Sequence, residues 1–401
     1  MTEKLVSLEM IQEAREFLKG KIHETPIFTA SRMGDNIYIK MENLQKTGSF
    51  KIRGAYNKMR SLTDAEKEKG VISCSAGNHA QGVALSATQS GIKSYICIPS
   101  VAPLSKVEAT RGYGGEVIIV EGTFDDAQER AYQLEEENDL TYISPFDDEY
   151  IIAGQGTIGL EILEQLPDVK YIVVPIGGGG LISGIAAAVK NLRPDVKIIG
   201  VEPENAASMK KSIEEGYQCT LPTANTMADG VAVKCPGAIT FNHVKEYVDD
   251  IVTVSEDEII KTILRLLEEG KVTAEGAGAS SVAAIINDKY DFGGEKVCAV
   301  LSGGNINVNT ISRIITKGLF ESGRMMEIST LVMDKPGELI RLLQIIKEKG
   351  ANILTIDQYS SSESMNLDRV VVRIVLETFN EEHKKEIYDT LYEAGYREAH
   401  Q

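Results

Sequence analysis

The chain has 401 residues, 43% apolar and 25% charged, proportions of a folded globular protein with room for two or three domains. Asp and Glu number 59 against 42 Lys and Arg, a formal charge of -17, which disfavours nucleic acid and anionic membranes as partners. No apolar run approaches the ~18 residues a membrane-spanning helix needs.

The N-terminal stretch MTEKLVSLEMIQEAREF alternates charge like an amphipathic helix and lacks the basic-then-apolar order of a signal peptide, so a cytoplasmic protein is expected. Cys74, Cys97, Cys219, Cys235 and Cys298 are odd in number and contain no C-x-x-C, which argues against a disulfide framework or zinc site. The five histidines are equally scattered, and no metal is expected.

From about Asn36 to Asn307 short β-branched runs alternate with helical stretches. Residues 71–75, 94–99, 116–121, 171–176, 196–202 and 296–302 read as buried strands, the pattern of parallel sheets covered on both faces. Four segments in this region could carry chemistry. In ENLQKTGSFKIRGAYNKM, Lys51 opens a predicted helix, where partial desolvation would prepare its amine for Schiff-base chemistry. Lys51 could equally be one of several surface lysines, and Arg53 an ordinary helix-face charge.

CSAGNHAQG follows, with small residues and Asn78-His79 at a strand-to-helix turn. Backbone N–H groups there suit a carboxylate, although a plain turn with a structural His79 fits as well. PIGGGGLISG places Gly177, Gly178, Gly179 and Gly180 between a strand and a helix that begins near Leu181. That is a phosphate cradle or a ligand-free tight turn, and it lacks both the Walker lysine and the dinucleotide glycine register. Glu202, ending the next strand, imitates a ribose-binding acid and keeps a nicotinamide site open. LSGGNINVN, containing Ser302, repeats the strand–Ser–Gly–Gly pattern.

After a linker expected at Gly318 to Arg324, the tail reads strand (325–332), helix closed by Gly350, strand, strand, helix. That order predicts a small ferredoxin-like module, with Ser360 to Asn366 as a hairpin connection. The expected division is a catalytic region spanning residues 1–320, with a smaller subdomain at roughly 45–145, and a separate module at residues 326–401.

SFKIRGA, SAGNHAQG, the tetraglycine loop and SGGN occur in the order found in threonine dehydratases (threonine ammonia-lyases), and residues from about Glu9 to Phe320 resemble that family. The resemblance implies the two-domain α/β fold of fold-type II pyridoxal-phosphate enzymes and loss of ammonia from threonine or serine. It implies pyridoxal 5'-phosphate linked to Lys51 beside Phe50, with Asn78 at the ring hydroxyl and Ser302 at the ring nitrogen. Gly177 to Gly180 and Leu181 would take the phosphate, and Ser75, Ala76, Gly77, Asn78 and His79 the substrate. Asp229 and Glu275 fall in segments that the family places near the pocket. The tail from Met326 resembles an ACT regulatory domain in a homodimer or homotetramer, with an amino-acid or nucleotide effector near Asp334, Gly337, Glu338 and Asn352.

Serine racemase shares this scaffold, but its second catalytic serine would fall at Ala76, which cannot supply a proton. A nicotinamide dehydrogenase leaves Lys51 and Ser302 without a task, and a non-catalytic amino-acid sensor leaves the whole pocket unexplained. Glu202, Asn205 and Ser208 border a position that holds a cation in related enzymes, where an aspartate stands in place of Ser208.

Overall fold

A computed structural model describes residues 5–359 and 368–398; the connection expected at Ser360 to Asn366 lies outside them. Thirteen strands occur among the described residues. They are β1 (Ile27–Thr29), β2 (Ile37–Met41), β3 (Val71–Cys74), β4 (Ser94–Pro99), β5 (Glu116–Val120), β6 (Thr141–Tyr142), β7 (Tyr171–Pro175), β8 (Lys197–Pro203), β9 (Asp250–Val254), β10 (Val297–Leu301), β11 (Met325–Met333), β12 (Asn352–Tyr359) and β13 (Arg369–Glu377). All six expected strands are present. β3, β7 and β10 are almost wholly apolar, in keeping with the burial of nearly every residue in them.

The chain divides into two compact units, Met1–Asn307 and Val308–Gln401. The first holds two sheets. One has the order β1-β2-β10-β7-β8-β9, parallel except for β1, and the other the order β5-β4-β3-β6, parallel throughout. β3 to β6 lie within residues 71–142, where the smaller subdomain is expected.

Helix Glu149–Gln165 ties the two sheets together through close backbone approaches. A Cβ on its Gly154 would sit 2.6 Å from Cα of Gly54, on helix Lys51–Ser61. Only glycine at both positions lets these helices touch, and that contact sets where Lys51 stands. On its other side the helix packs against Gly180–Leu192, burying Ile158, Ile162, Ile182, Ile185 and Val189 in the main core.

In the second unit, β11, β13 and β12 form an antiparallel sheet with β13 central. Helices Glu338–Glu348 and Glu381–Glu393 bury Leu342, Ile346, Ile387 and Leu391 against it. The fourth ferredoxin strand is reduced to one antiparallel bridge, Thr330 to Glu398, among the described residues. Helix Val308–Glu321 covers much of the stretch expected as a linker, and the expected boundary at 320 falls in its last turn. It packs against β11, so it groups with the second unit. No helix among the described residues is long and apolar enough to cross a membrane.

Candidate active site

β2, β10 and β7 are neighbours, so the loops leaving their C-terminal ends converge at one edge, where open parallel sheets bind ligands. Those loops carry Lys51, Ser302 and the four glycines. The Lys51 and Ser302 loops are laced together: Phe50 N–H donates to the Ser302 carbonyl (3.1 Å), and Gly304 N–H to that of Gly48 (2.9 Å). The loop after β3 brings Ser75 to Asn78 from the second sheet.

Lys51 is the first residue of helix Lys51–Ser61. Its amine donates to the Pro145 carbonyl (2.7 Å) and lies 5.3 Å from the centre of the Phe50 ring. Burial pulls its pKa down to about 8, against the opposing pull of Glu275. About a tenth of the amine is therefore a free nucleophile at pH 7, far more than for an ordinary lysine. Ser302 is 3% exposed.

Asn78 starts helix Asn78–Gln89 and is held at both ends of its amide. Its Nδ2 donates to Oε1 of Glu275 (2.7 Å), and its Oδ1 accepts from Nδ2 of Asn305 (2.8 Å). Glu275 is buried, and its pKa rises to about 7 through desolvation and the nearby Asp229 charge, with Asn78, Lys106 and Lys51 opposing. Glu275 and Asn305 had no role assigned from sequence, although both stand in the glycine-containing segments singled out there.

Gly177 to Gly180 leave β7 and enter helix Gly180–Leu192 through Gly179 at φ +96°. A Cβ on Gly177 would lie 2.8 Å from Cα of Val231, one on Gly178 would land on the Phe146 ring, and one on Gly179 would meet Met209 (2.7 Å). The loop therefore tolerates no side chains. The N–H groups of the helix's first turn have no carbonyl within the helix to bond, so an anion there finds both donors and a favourable dipole. Leu181 itself packs into the core, which leaves only its backbone for an anion. A side-chain-free cradle facing a buried, easily deprotonated lysine suits a group that carries both a phosphate and an aldehyde.

Arg53 is not a surface charge but fully buried: it bonds Glu42 (2.8 Å) and Glu161 (2.5 Å), and Lys40 joins Glu161 (2.6 Å). His79 turns its ring into the interior, where Nε2 meets the Ile143 carbonyl (3.0 Å). Burial, then the Lys51 charge, lowers its pKa to about 3, so it is neutral. Of the proposed substrate loop, Ser75, Ala76, Gly77 and Asn78 stay at the sheet edge, and the Ser75 hydroxyl accepts from Gly77 N–H (3.1 Å). Glu202 does not end at a ribose site; its carboxylate accepts from Met209 N–H (2.9 Å) and Lys210 N–H (2.8 Å) at the start of helix Ser208–Glu215.

The expected effector residues are not brought together within one chain. Asp334, Gly337 and Glu338 stand at the N-terminal end of helix Glu338–Glu348, and Asn352 opens β12 beyond its C-terminal end. Eleven residues separate the two ends by about 16 Å.

The family described as "Pyridoxal-phosphate dependent enzyme" matches residues 18–303. An L-threonine ammonia-lyase of Thermotoga maritima is 50% identical over 98% of this chain and 98% of its own. The structure of the processed form of threonine deaminase isoform 2 from Solanum lycopersicum superimposes with a TM-score of 0.73 at 41% identity, covering 78% of this chain and 90% of that one. Maize serine racemase gives a TM-score of 0.74 at 36% identity, covering 79% of this chain and 99% of that one.

Proposed function

The chain belongs to the pyridoxal-phosphate dependent enzyme family, and we propose that it is a threonine ammonia-lyase, converting L-threonine to 2-oxobutanoate and ammonia and L-serine to pyruvate. The near end-to-end likeness to an L-threonine ammonia-lyase carries this reading, and the fold-type II architecture agrees with it. When bound, pyridoxal phosphate supplies an aldehyde that links to amines and a conjugated ring that withdraws electrons from the α-carbon.

The residues of the pocket divide the remaining work. Lys51 would hold the cofactor through its amine, and that amine, when free, would take the α-proton. The Phe50 ring flanks Lys51, Asn78 would present its amide to the ring hydroxyl, and Ser302 would offer a hydroxyl to the ring nitrogen. A hydroxyl, unlike a carboxylate, leaves that nitrogen largely unprotonated, which favours prompt loss of the β-hydroxyl. Gly177 to Gly180 with the Leu181 N–H would receive the cofactor phosphate. Backbone N–H groups of Ser75 to Asn78 receive the substrate carboxylate. The α-proton and β-hydroxyl leave as water. The released enamine then takes up water to give the 2-oxo acid and ammonia, so no oxidant or reductant is needed.

The same proposal includes a cytoplasmic location, a homodimer or homotetramer, and an amino-acid or nucleotide effector acting through residues 326–401. The two ends of helix Glu338–Glu348 would then belong to grooves shared between copies. The likeness to serine racemase favours a second reading, racemisation, which Ala76 opposes because it has no proton to give.

The test is a purified sample scanned in the visible, reduced with borohydride, and assayed with L-threonine and L-serine. A yellow, borohydride-sensitive protein that releases 2-oxobutanoate is expected. A colourless, inactive protein after incubation with pyridoxal phosphate defeats the reading.

A further inference from the structure

Glu275 is a buried carboxyl inside the pocket to which the mechanism above gives no task. Four groups form one directed chain there. Asn305 Nδ2 donates both to the Thr47 carbonyl (2.7 Å) and to Asn78 Oδ1 (2.8 Å), and Asn78 Nδ2 donates to Glu275 Oε1 (2.7 Å). The two Asn305 hydrogens are thereby consumed, which fixes the Asn78 oxygen toward Asn305 and its NH2 toward Glu275. One Asn78 hydrogen remains for a ligand. Gly303 lies against the Glu275 carboxyl so closely that a Cβ would strike Oε1, and the Glu275 N–H donates to the Gly303 carbonyl (3.1 Å). Among the described residues no other donor reaches the carboxyl.

We propose that Glu275 is a positioning residue of the cofactor pocket, whose carboxyl aims the free Asn78 N–H and sets the local charge beside Lys51. The inference rests on the cofactor reading above. Removing the acceptor frees the Asn78 amide to rotate, so the cofactor loses an aligned donor. Removing only the charge keeps the aim and changes the titration of the site. The charged groups facing Glu275 are Asp229, which raises its proton affinity, and Lys106 and Lys51, which lower it. With its pKa raised to about 7, the carboxyl is neutral in mild acid and anionic in mild base.

The test uses the full chain as wild type, Glu275→Gln and Glu275→Ala. Pyridoxal phosphate uptake and the visible absorbance are followed from about pH 6 to 9, alongside threonine turnover. Glu275→Ala should weaken uptake about tenfold, the loss of one charge-assisted hydrogen bond. Glu275→Gln should stay within about threefold of wild type in uptake, but lose the transition near pH 7 from absorbance and turnover. Wild-type uptake by the Ala variant, or a retained transition in the Gln variant, overturns the proposal. Should the Ala variant not fold, the Gln profile decides alone. A wild type that takes up no cofactor defeats the functional reading itself, a result distinct from normal uptake with no difference among the variants.

Discussion

Arg53 and Glu161, 108 positions apart, are joined by two hydrogen bonds of 2.5 and 2.9 Å in a buried site. Glu42 completes the guanidinium's coordination, and Lys40 shares Glu161. Two cations face two carboxylates, so the cluster is neutral as a unit and costly if broken. It pins helix Lys51–Ser61 to the residues following β2 and to helix Glu149–Gln165.

Arg53→Met should therefore destabilise the fold by about 3–5 kcal/mol, because it strands Glu42 without its cation. Burial would raise the Glu42 pKa, but the Arg53 charge and hydrogen bond outweigh it, and the net shift is downward. In wild type that stabilisation is present above the ordinary carboxylate range and fades as pH falls through the depressed pKa. The variant never has it. Urea unfolding at several pH values should show the gap narrowing in acid; a gap constant with pH would sink this account.

A second expectation concerns Lys51. With its pKa near 8, the free-amine fraction rises about fivefold between pH 7 and 8 and levels off above about pH 9. Uptake of pyridoxal phosphate by cofactor-free protein, followed by absorbance, should track that curve. Lys51→Ala should abolish both the borohydride-sensitive chromophore and turnover. Normal turnover in that variant would remove Lys51 from the chemistry.

The large parallel strands were legible because burial on both faces writes itself as continuous apolar runs such as YIVVPI. β6, with two residues, and β1, three residues on a sheet edge, carry too little pattern to stand out. The places of the glycines at a strand-to-helix turn and of Lys51 at a helix start were legible because turn chemistry is local. The partners of Asn78 were not, since Glu275 lies 197 positions away and only the fold joins them. Arg53 misled for the same reason: a buried arginine looks like a solvated one until its carboxylates are located. Lys40, inside the apolar strand Ile37–Met41, was the available hint of a buried charge cluster.

Gly178→Ala tests the cradle. Its Cβ would land on the Phe146 ring, forcing the ring or the loop aside at a cost of about 1–3 kcal/mol. Cofactor affinity should fall more than stability does, because the displaced loop is the proposed anion site. Equal retention of pyridoxal phosphate on gel filtration would show that the phosphate binds elsewhere.

Ala76→Ser tests the boundary with racemases. A hydroxyl at this position of the Ser75 to Asn78 loop could deliver a proton to the face of the α-carbon opposite Lys51. D-serine formation from L-serine should rise from near background in wild type. Wild-type protein that already racemises serine as fast as it deaminates it would overturn the choice between the two functions.

The last expectation separates chemistry from regulation. Every residue proposed for the pocket lies in the unit Met1–Asn307, whereas Asp334, Gly337, Glu338 and Asn352 lie in Val308–Gln401. Maize serine racemase is matched over 99% of its length by only 79% of this chain, so a related enzyme manages without a comparable tail. An effector alters activity only by favouring one arrangement of the assembly over another. Truncation after Ser322, past the end of helix Val308–Glu321, should leave a folded, cofactor-binding dehydratase that no longer responds to isoleucine, valine or AMP. Size and activity should be measured on the same sample, because loss of the tail could also weaken association between copies. A truncated enzyme that kept the full response would move the effector site into the catalytic unit.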